Sequence, residues 1–282
     1  MSHQSLGPLR QFWRKHFGVL PEEESIRDMV GWFETPLGEA LLDEEGESID
    51  QALHCLFGYH LLQMSISPRL DLGHSSRITH RFSLSPVSDN NPSLSALCDF
   101  TELPLPEESI DVVLLHHLLD YSQSPHQLLR ESARVLIPRG HLVILGFNPW
   151  SAFGTCCWFA RFFSRKPRWR HQSLRLGRIL DWLTLLDFEF VDIQQGFYRL
   201  PLQHPSAIKH LRWLERWGKR LRLPWGGYYL IVARKERIAV TPLKPAWRAL
   251  KPVPGLGITK LHGRVKSPSI KVAKTNQNDR VE

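Results

Sequence analysis

The chain has 282 residues, of which 42% are apolar, with 10 Trp and 14 Phe, enough for one elaborated domain and an extension. That composition excludes collagen-like, coiled-coil and wholly disordered chains. Cys55, Cys98, Cys156 and Cys157 show no C-x-x-C spacing, so neither a disulfide framework nor a zinc ribbon is read and no metal site is expected.

The net charge of +8 is distributed unevenly. Residues 1–160 carry 20 acidic and 10 basic side chains, residues 161–222 carry 5 and 14, and residues 235–282 carry 3 and 11. The longest apolar run, 141–163, is interrupted by Asn148, Pro149, Gly154 and Arg161, short of the roughly 20 apolar residues of a membrane span. The first residues lack the unbroken apolar core of a secretory signal. A soluble, cytoplasmic protein is expected.

Taken in chain order, residues 20–57 read as helical, with Ile26, Val30, Phe33, Leu37, Leu41 and Leu42 recurring at helical spacing. Residues 59–64 read as a buried strand. A Ser-, Pro- and Asn-rich stretch follows to about residue 95, with a weak strand at 78–84. Residues 110–115 are a clean buried strand, and 125–136 an amphipathic helix with Leu128, Leu129, Ala133 and Leu136 on one face. Pro138-Arg139-Gly140 reads as a turn into a second buried strand, 141–147. Continuous apolar strands separated by a helix mark parallel β-α-β units. A basic aromatic run (158–169), a helix (174–186), a strand (188–193), a basic helix (206–222) and a strand (228–233) complete the order. Residues beyond 235 contain five Pro and no apolar periodicity, and are expected to be largely disordered.

Residues 99–147 contain, in order, Asp99, Leu103-Pro104, Ser109, Asp111, Val113, Leu129, Glu131, Arg134-Val135-Leu136, Pro138 and Gly140. This block resembles the second half of class I S-adenosylmethionine-dependent methyltransferases: a D-x-x-x-L-P turn, an S-x-D-x-V strand, and a helix ending in R-V-L-x-P-x-G. The block is similar to uncharacterised bacterial members of the methyltransferase type-eleven group. The resemblance implies an α/β, Rossmann-like fold: a seven-stranded, mostly parallel sheet with helices on both faces. It divides the chain into an N-terminal helical cap (1–57), a methyltransferase domain (58–234, with the inserted basic helix 206–222) and a basic tail (235–282).

It also implies S-adenosylmethionine as cofactor. Open parallel sheets bind ligands outside the carboxyl ends of their strands, which places Met64, Ser65, Ile66, Asp99, Phe100 and His116 as cofactor-binding candidates. Asp99 would accept from the adenine amine, and Phe100 would cover the ring. Methyl transfer is an in-line displacement that rests mainly on positioning, worth about 7–11 kcal/mol. A general base is needed only for a protonated acceptor, and His117, Asp120 and Tyr121 are the candidates. Neighbouring His116 and His117 are expected to point to opposite sides, as successive strand residues do.

The sequence also departs from the family. Residues 61–68 hold no glycine where the family has its glycine-rich turn. Leu70-Asp-Leu-Gly73 looks like the family's opening L-D-x-G, yet it lies too close to Asp99 for the intervening elements and is read as a decoy. The carboxylate that holds the ribose is missing after the second strand. Asn148-Pro149-Trp150 reads as a strand-ending turn. The expected function is methyl transfer to an unidentified acceptor, and the basic surface leaves an anionic one open. The alternatives are a catalytically degenerate binding or regulatory module, or a nucleic-acid- or membrane-associating protein whose basic helix and tail make the contact.

Overall fold

A computed structural model of the chain describes residues 22–67, 69–87, 94–163, 172, 174–199, 218, 220 and 223–236. The tail beyond 236 and almost all of the expected basic helix over 206–222 lie outside the described residues. Among the described residues no helix is long and apolar enough to cross a membrane.

The first two helices, α1 (Glu22–Phe33) and α2 (Pro36–His54), form a tight pair. Thr35 makes the corner: its Oγ1 accepts from Gly38 N at 3.2 Å and donates to Trp32 O at 2.7 Å, with Pro36 at the first helical position. The strands are β1 (His60–Ser65), β2 (His80–Ser85), β3 (Leu94–Leu97), β4 (Ile110–His116), β5 (Leu136–Phe147), β6 (Phe188–Gly196) and β7 (Tyr228–Lys235). Between them lie α3 (Leu118–Tyr121), α4 (Pro125–Val135), α5 (Ala152–Phe163) and α6 (Leu176–Leu185).

The seven strands form one sheet in the order β3-β2-β1-β4-β5-β7-β6, with β1 to β5 parallel and β7 antiparallel to both its neighbours. The expected seven-stranded, mostly parallel sheet is therefore present. Strand β4 is almost wholly buried, as its uninterrupted apolar run requires. Its Asp111 is an exception with a purpose: Oδ2 accepts from Tyr59 N at 3.0 Å and His60 N at 2.9 Å, locking the start of β1 beside β4.

Several expectations are corrected. Pro138-Arg139-Gly140 does not precede β5 but bulges out of it. The pairing passes from Ile110–Leu136 directly to Val112–His141, and Arg139 adopts φ 68°. Strand β3 and helices α3 and α5 were not read from the sequence. No helix lies between β1 and β3 among the described residues. Instead, residues 70–73 fold back along β1, where Leu72 N donates to Gln63 Oε1 at 3.0 Å and Arg81 donates to Gly73 O at 2.6 Å. Gly73 thus sits beside the middle of β1 rather than at its carboxyl end, which removes Leu70–Gly73 as a cofactor turn.

The N-terminal helices share the core of the sheet. Ile26, Met29, Trp32, Leu37, Leu41, Ile49 and Leu53 are all buried in it. Tyr228 of β7 anchors α2 through its hydroxyl, which lies 2.7 Å from Ser48 Oγ and donates to Glu44 O at 3.1 Å. Tyr228→Phe should lower unfolding free energy by about 1–3 kcal/mol, because both α2 groups lose a buried partner. Denaturant titration checks this, and a loss confined to α2 in hydrogen exchange would localise it.

Candidate active site

Chain order in the sheet reverses between β1 and β4, and ligands of open parallel sheets gather outside that edge. Two different environments are built there.

The first is a buried polar cluster. His116 ends β4, and a continuing strand would turn His117 to the opposite face. The structure corrects that expectation: His117 has φ 55° and ψ 9°, the left-handed conformation. This costs roughly 1–2 kcal/mol for a residue with a side chain, although His accepts it more readily than most. The turn brings the two imidazoles to 4.6 Å between centroids.

Both Nε2 atoms face one carboxylate, that of Glu45 on α2. His116 Nε2 lies 3.1 Å from Oε2, and His117 Nε2 lies 2.9 Å from Oε1. The outer nitrogens are held as well. Ser65 Oγ is 2.8 Å from His116 Nδ1 and accepts from Ser67 N, while Asp120 Oδ2 lies 3.5 Å from His117 Nδ1 and accepts from Phe147 N at 2.9 Å. Phe147 stacks on His117 at 3.9 Å, and Phe33 of α1 lies against both rings.

Glu45, His116, His117 and Asp120 are each 0% exposed. Burial pushes the Glu45 and Asp120 carboxyls up and the His116 imidazole down, each toward its neutral form. Asp120 Oδ1 and the Tyr229 hydroxyl are buried without a hydrogen-bond partner among the described residues. Burial, and then the charge of Asp120, hold the Tyr229 phenol well above its ordinary range.

The second environment is an open cavity of about 560 Å³ at the carboxyl ends of β2 and β3. Pro86, Leu97, Cys98, Asp99 and Thr101 form one side, Gln123 and Ser124 another, and Glu23 of α1 completes the wall. Asp99 Oδ1 accepts from Thr101 N and Oγ1, both at 2.8 Å, which fixes the carboxylate at the rim.

The candidate residues divide between these places. Ser65, His116, His117 and Asp120 meet in the cluster, while Asp99 stands on the cavity. Phe100 is fully buried and absent from the cavity wall, where Leu97 and Cys98 stand instead. Met64 and Ile66 are fully buried, and Tyr121 turns its hydroxyl to Met29 Sδ at 3.2 Å. Asn148-Pro149-Trp150 is a strand-ending turn: Asn148 Oδ1 accepts from Trp150 N, and Ser151 Oγ accepts from Gly154 N in the first turn of α5. Glu45 was missed. Its signal was an acid within an apolar stripe, since Leu37, Leu41, Glu45, Ile49 and Ala52 recur on the buried face of α2.

Residues 76–144 match the methyltransferase domain family. The chain is 32% identical to the uncharacterised protein YafS of Escherichia coli K12 over 219 residues, covering 76% of this chain and 84% of that protein. The chain therefore belongs to one family with YafS and carries the methyltransferase domain over residues 76–144. Among solved structures, it is similar to an S-adenosylmethionine-dependent methyltransferase of Thermotoga maritima, with TM-score 0.51, 17% identity, and coverage of 68% of this chain and 89% of that one. It is also similar to a chain from the complex of the Haloferax volcanii Trm112 methyltransferase activator with a methyltransferase, with TM-score 0.54, 16% identity, and coverage of 77% and 97%.

S-adenosylmethionine is the cofactor of this methyltransferase family, and the structure fits its adenosyl end. The cavity falls within the roughly 300–1,000 Å³ of small-molecule sites, and Asp99, Cys98, Thr101, Gln123 and Ser124 present polar groups along it. The neighbouring ends of β1 and β4 are filled by side chains. Ser65, Ile66 and Ser67 are all buried where the family has glycines, and Ser65 Oγ lies against the His116 imidazole.

Cys98 reports on the cavity beside Asp99. Burial, and then the adjacent charge of Asp99, push its thiol up to about 11. Both causes disfavour the thiolate, so alkylation should climb with pH toward a midpoint of about 11. Asp99→Asn removes one cause and should move the midpoint down. Mass spectrometry of iodoacetamide-treated protein checks both, and an unshifted wild-type midpoint at 9.0 would show that Cys98 is not enclosed as described.

Proposed function

We propose that the protein transfers methyl groups from S-adenosylmethionine with the adenosyl group held in the cavity beside Asp99, and that Glu23 replaces the missing ribose carboxylate. The observation behind this reading is the cavity itself, which joins Asp99 after β3 to Glu23 on α1 at the ligand-binding edge of the sheet. Asp99 has the chemistry to accept from an exocyclic amine, and Glu23 to accept from vicinal hydroxyls. Leu97 and Pro86 offer apolar surface to a planar ring.

When bound, the cofactor supplies an electrophilic methyl on a sulfonium, whose neutral thioether leaving group needs no acid. The protein's task is therefore to place the acceptor in line and keep competing nucleophiles away. His117 and Asp120 are closed in by Glu45, Phe33 and Phe147, and they serve as base only in a state where α1 and α2 have withdrawn from the strand ends. Tyr121 is engaged with Met29 instead. We take the acceptor to be anionic, on the strength of the basic segments 161–222 and 235–282.

A second reading, a ligand-binding module without turnover, is favoured by the filled ends of β1 and β4. Titration calorimetry on the full chain separates the readings. Saturable binding of S-adenosylmethionine or S-adenosylhomocysteine is expected, weakened about tenfold or more by Asp99→Ala and severalfold by Glu23→Gln. No heat and no thermal shift at about 1 mM cofactor, the limit of millimolar affinity, would overturn both readings. Binding without methyl transfer to anionic acceptors would select the second.

A further inference from the structure

We propose that Glu45, His116 and His117 bind a divalent transition-metal ion, zinc foremost, which fastens α2 to the carboxyl ends of β1 and β4. The two Nε2 atoms and the Glu45 carboxylate lie within 4.8 Å of one another. Bonds of about 2.0–2.2 Å in a tetrahedral zinc site put neighbouring ligand atoms roughly 3.3–3.5 Å apart. The observed separations of 2.9 and 3.1 Å therefore need to widen only slightly around an ion. Each Glu45 oxygen faces a different imidazole, so the carboxylate is already spread across the centre. Two imidazoles and one carboxylate suit zinc, cobalt, nickel or iron, and the nitrogen ligands disfavour magnesium and calcium.

The outer partners follow the pattern of metal-ligating histidines, whose second ring nitrogen is held by a hydroxyl, carbonyl or carboxylate. Ser65 Oγ stands at His116 Nδ1, and Asp120 Oδ2 at His117 Nδ1. A proton on His117 Nδ1, directed at Asp120, leaves the Nε2 lone pair of a neutral ring facing Glu45 at 2.9 Å. An ion seated between them would take up both lone pairs.

An independent observation points the same way. Asp120 Oδ1 is buried and without a partner among the described residues, while Oδ2 of the same carboxyl group accepts from Phe147 N and faces His117 Nδ1. Sequence spacing hides the site, because the carboxylate precedes the histidine pair by 71 and 72 residues.

The test uses the full chain, stripped with chelator and then titrated with Zn²⁺ by calorimetry and with Co²⁺ by visible absorption. One equivalent of each metal is expected, with ligand-field bands of a four- or five-coordinate Co²⁺ and a raised melting temperature in the presence of Zn²⁺. Glu45→Gln and His117→Gln should abolish the bands. Asp120→Asn and Ser65→Ala should weaken binding about 10–100-fold, and they serve as readout if the ligand variants fail to fold. The exposed His60–His80 pair, with Nδ1 atoms 2.9 Å apart, provides the control, and His80→Gln should leave the spectrum unchanged. Absence of a stoichiometric complex in the wild-type chain overturns the proposal. So do bands that persist in folded Glu45→Gln protein or vanish in His80→Gln. Cofactor binding plays no part in these readouts, so the methyl-transfer reading stands or falls separately.

Discussion

One carboxylate, reached from outside the sheet, organises the functional edge of this protein. Glu45 could not be buried alone, since an unpaired charge in the interior is prohibitively costly. Its place is tolerable because two imidazoles meet it, and they can do so only because the backbone at His117 turns left-handed. Ser65 and Asp120 then hold the outer ring nitrogens, and Phe33 and Phe147 exclude water. The consequence for the fold is spatial. The ends of β1 and β4, which in relatives accommodate the cofactor against glycines, are occupied by protein, while the ends of β2 and β3 remain open beside Asp99.

The residues that carry the family resemblance prove to be largely architectural. Asp111 ties the amides of Tyr59 and His60 to β4. Glu131 and Arg134 form a fork in which Glu131 accepts from Leu103 N, while Arg134 donates to the carbonyls of Leu103 and Leu105. The Arg134 guanidinium, chiefly by its hydrogen bond, holds the Glu131 carboxyl below its usual range. This clamp fixes the turn that follows Asp99. A family match over 76–144 that begins after β1 therefore transfers the scaffold and the Asp99 turn, but not the turn after the first strand.

What the sequence disclosed follows from how local each signal was. Strand β4 is an uninterrupted apolar run and helix α4 carries strong helical periodicity, and both stand where expected. Strand β3 is four residues within a Ser-rich stretch, so alternation had too little length to register. Helix α5 is rich in apolar and aromatic residues without a contrasting polar face, and its pattern blurred into the preceding strand. Glu45 is legible as an acid in an apolar stripe, but Asp43, Glu44 and Glu47 around it mask the signal. The handedness of His117 was not legible, because tertiary contacts impose it against local preference.

The dependence on Glu45 also makes the edge sensitive to helical phase. Thr35 sets where α2 begins, and ten residues later the carboxylate must arrive between two rings. Each residue advances a helix by about 100°. A one-residue insertion or deletion inside that interval would swing the carboxylate away from both imidazoles while sparing every strand, so the spacing from corner to acid is a ruler that the sheet itself does not contain.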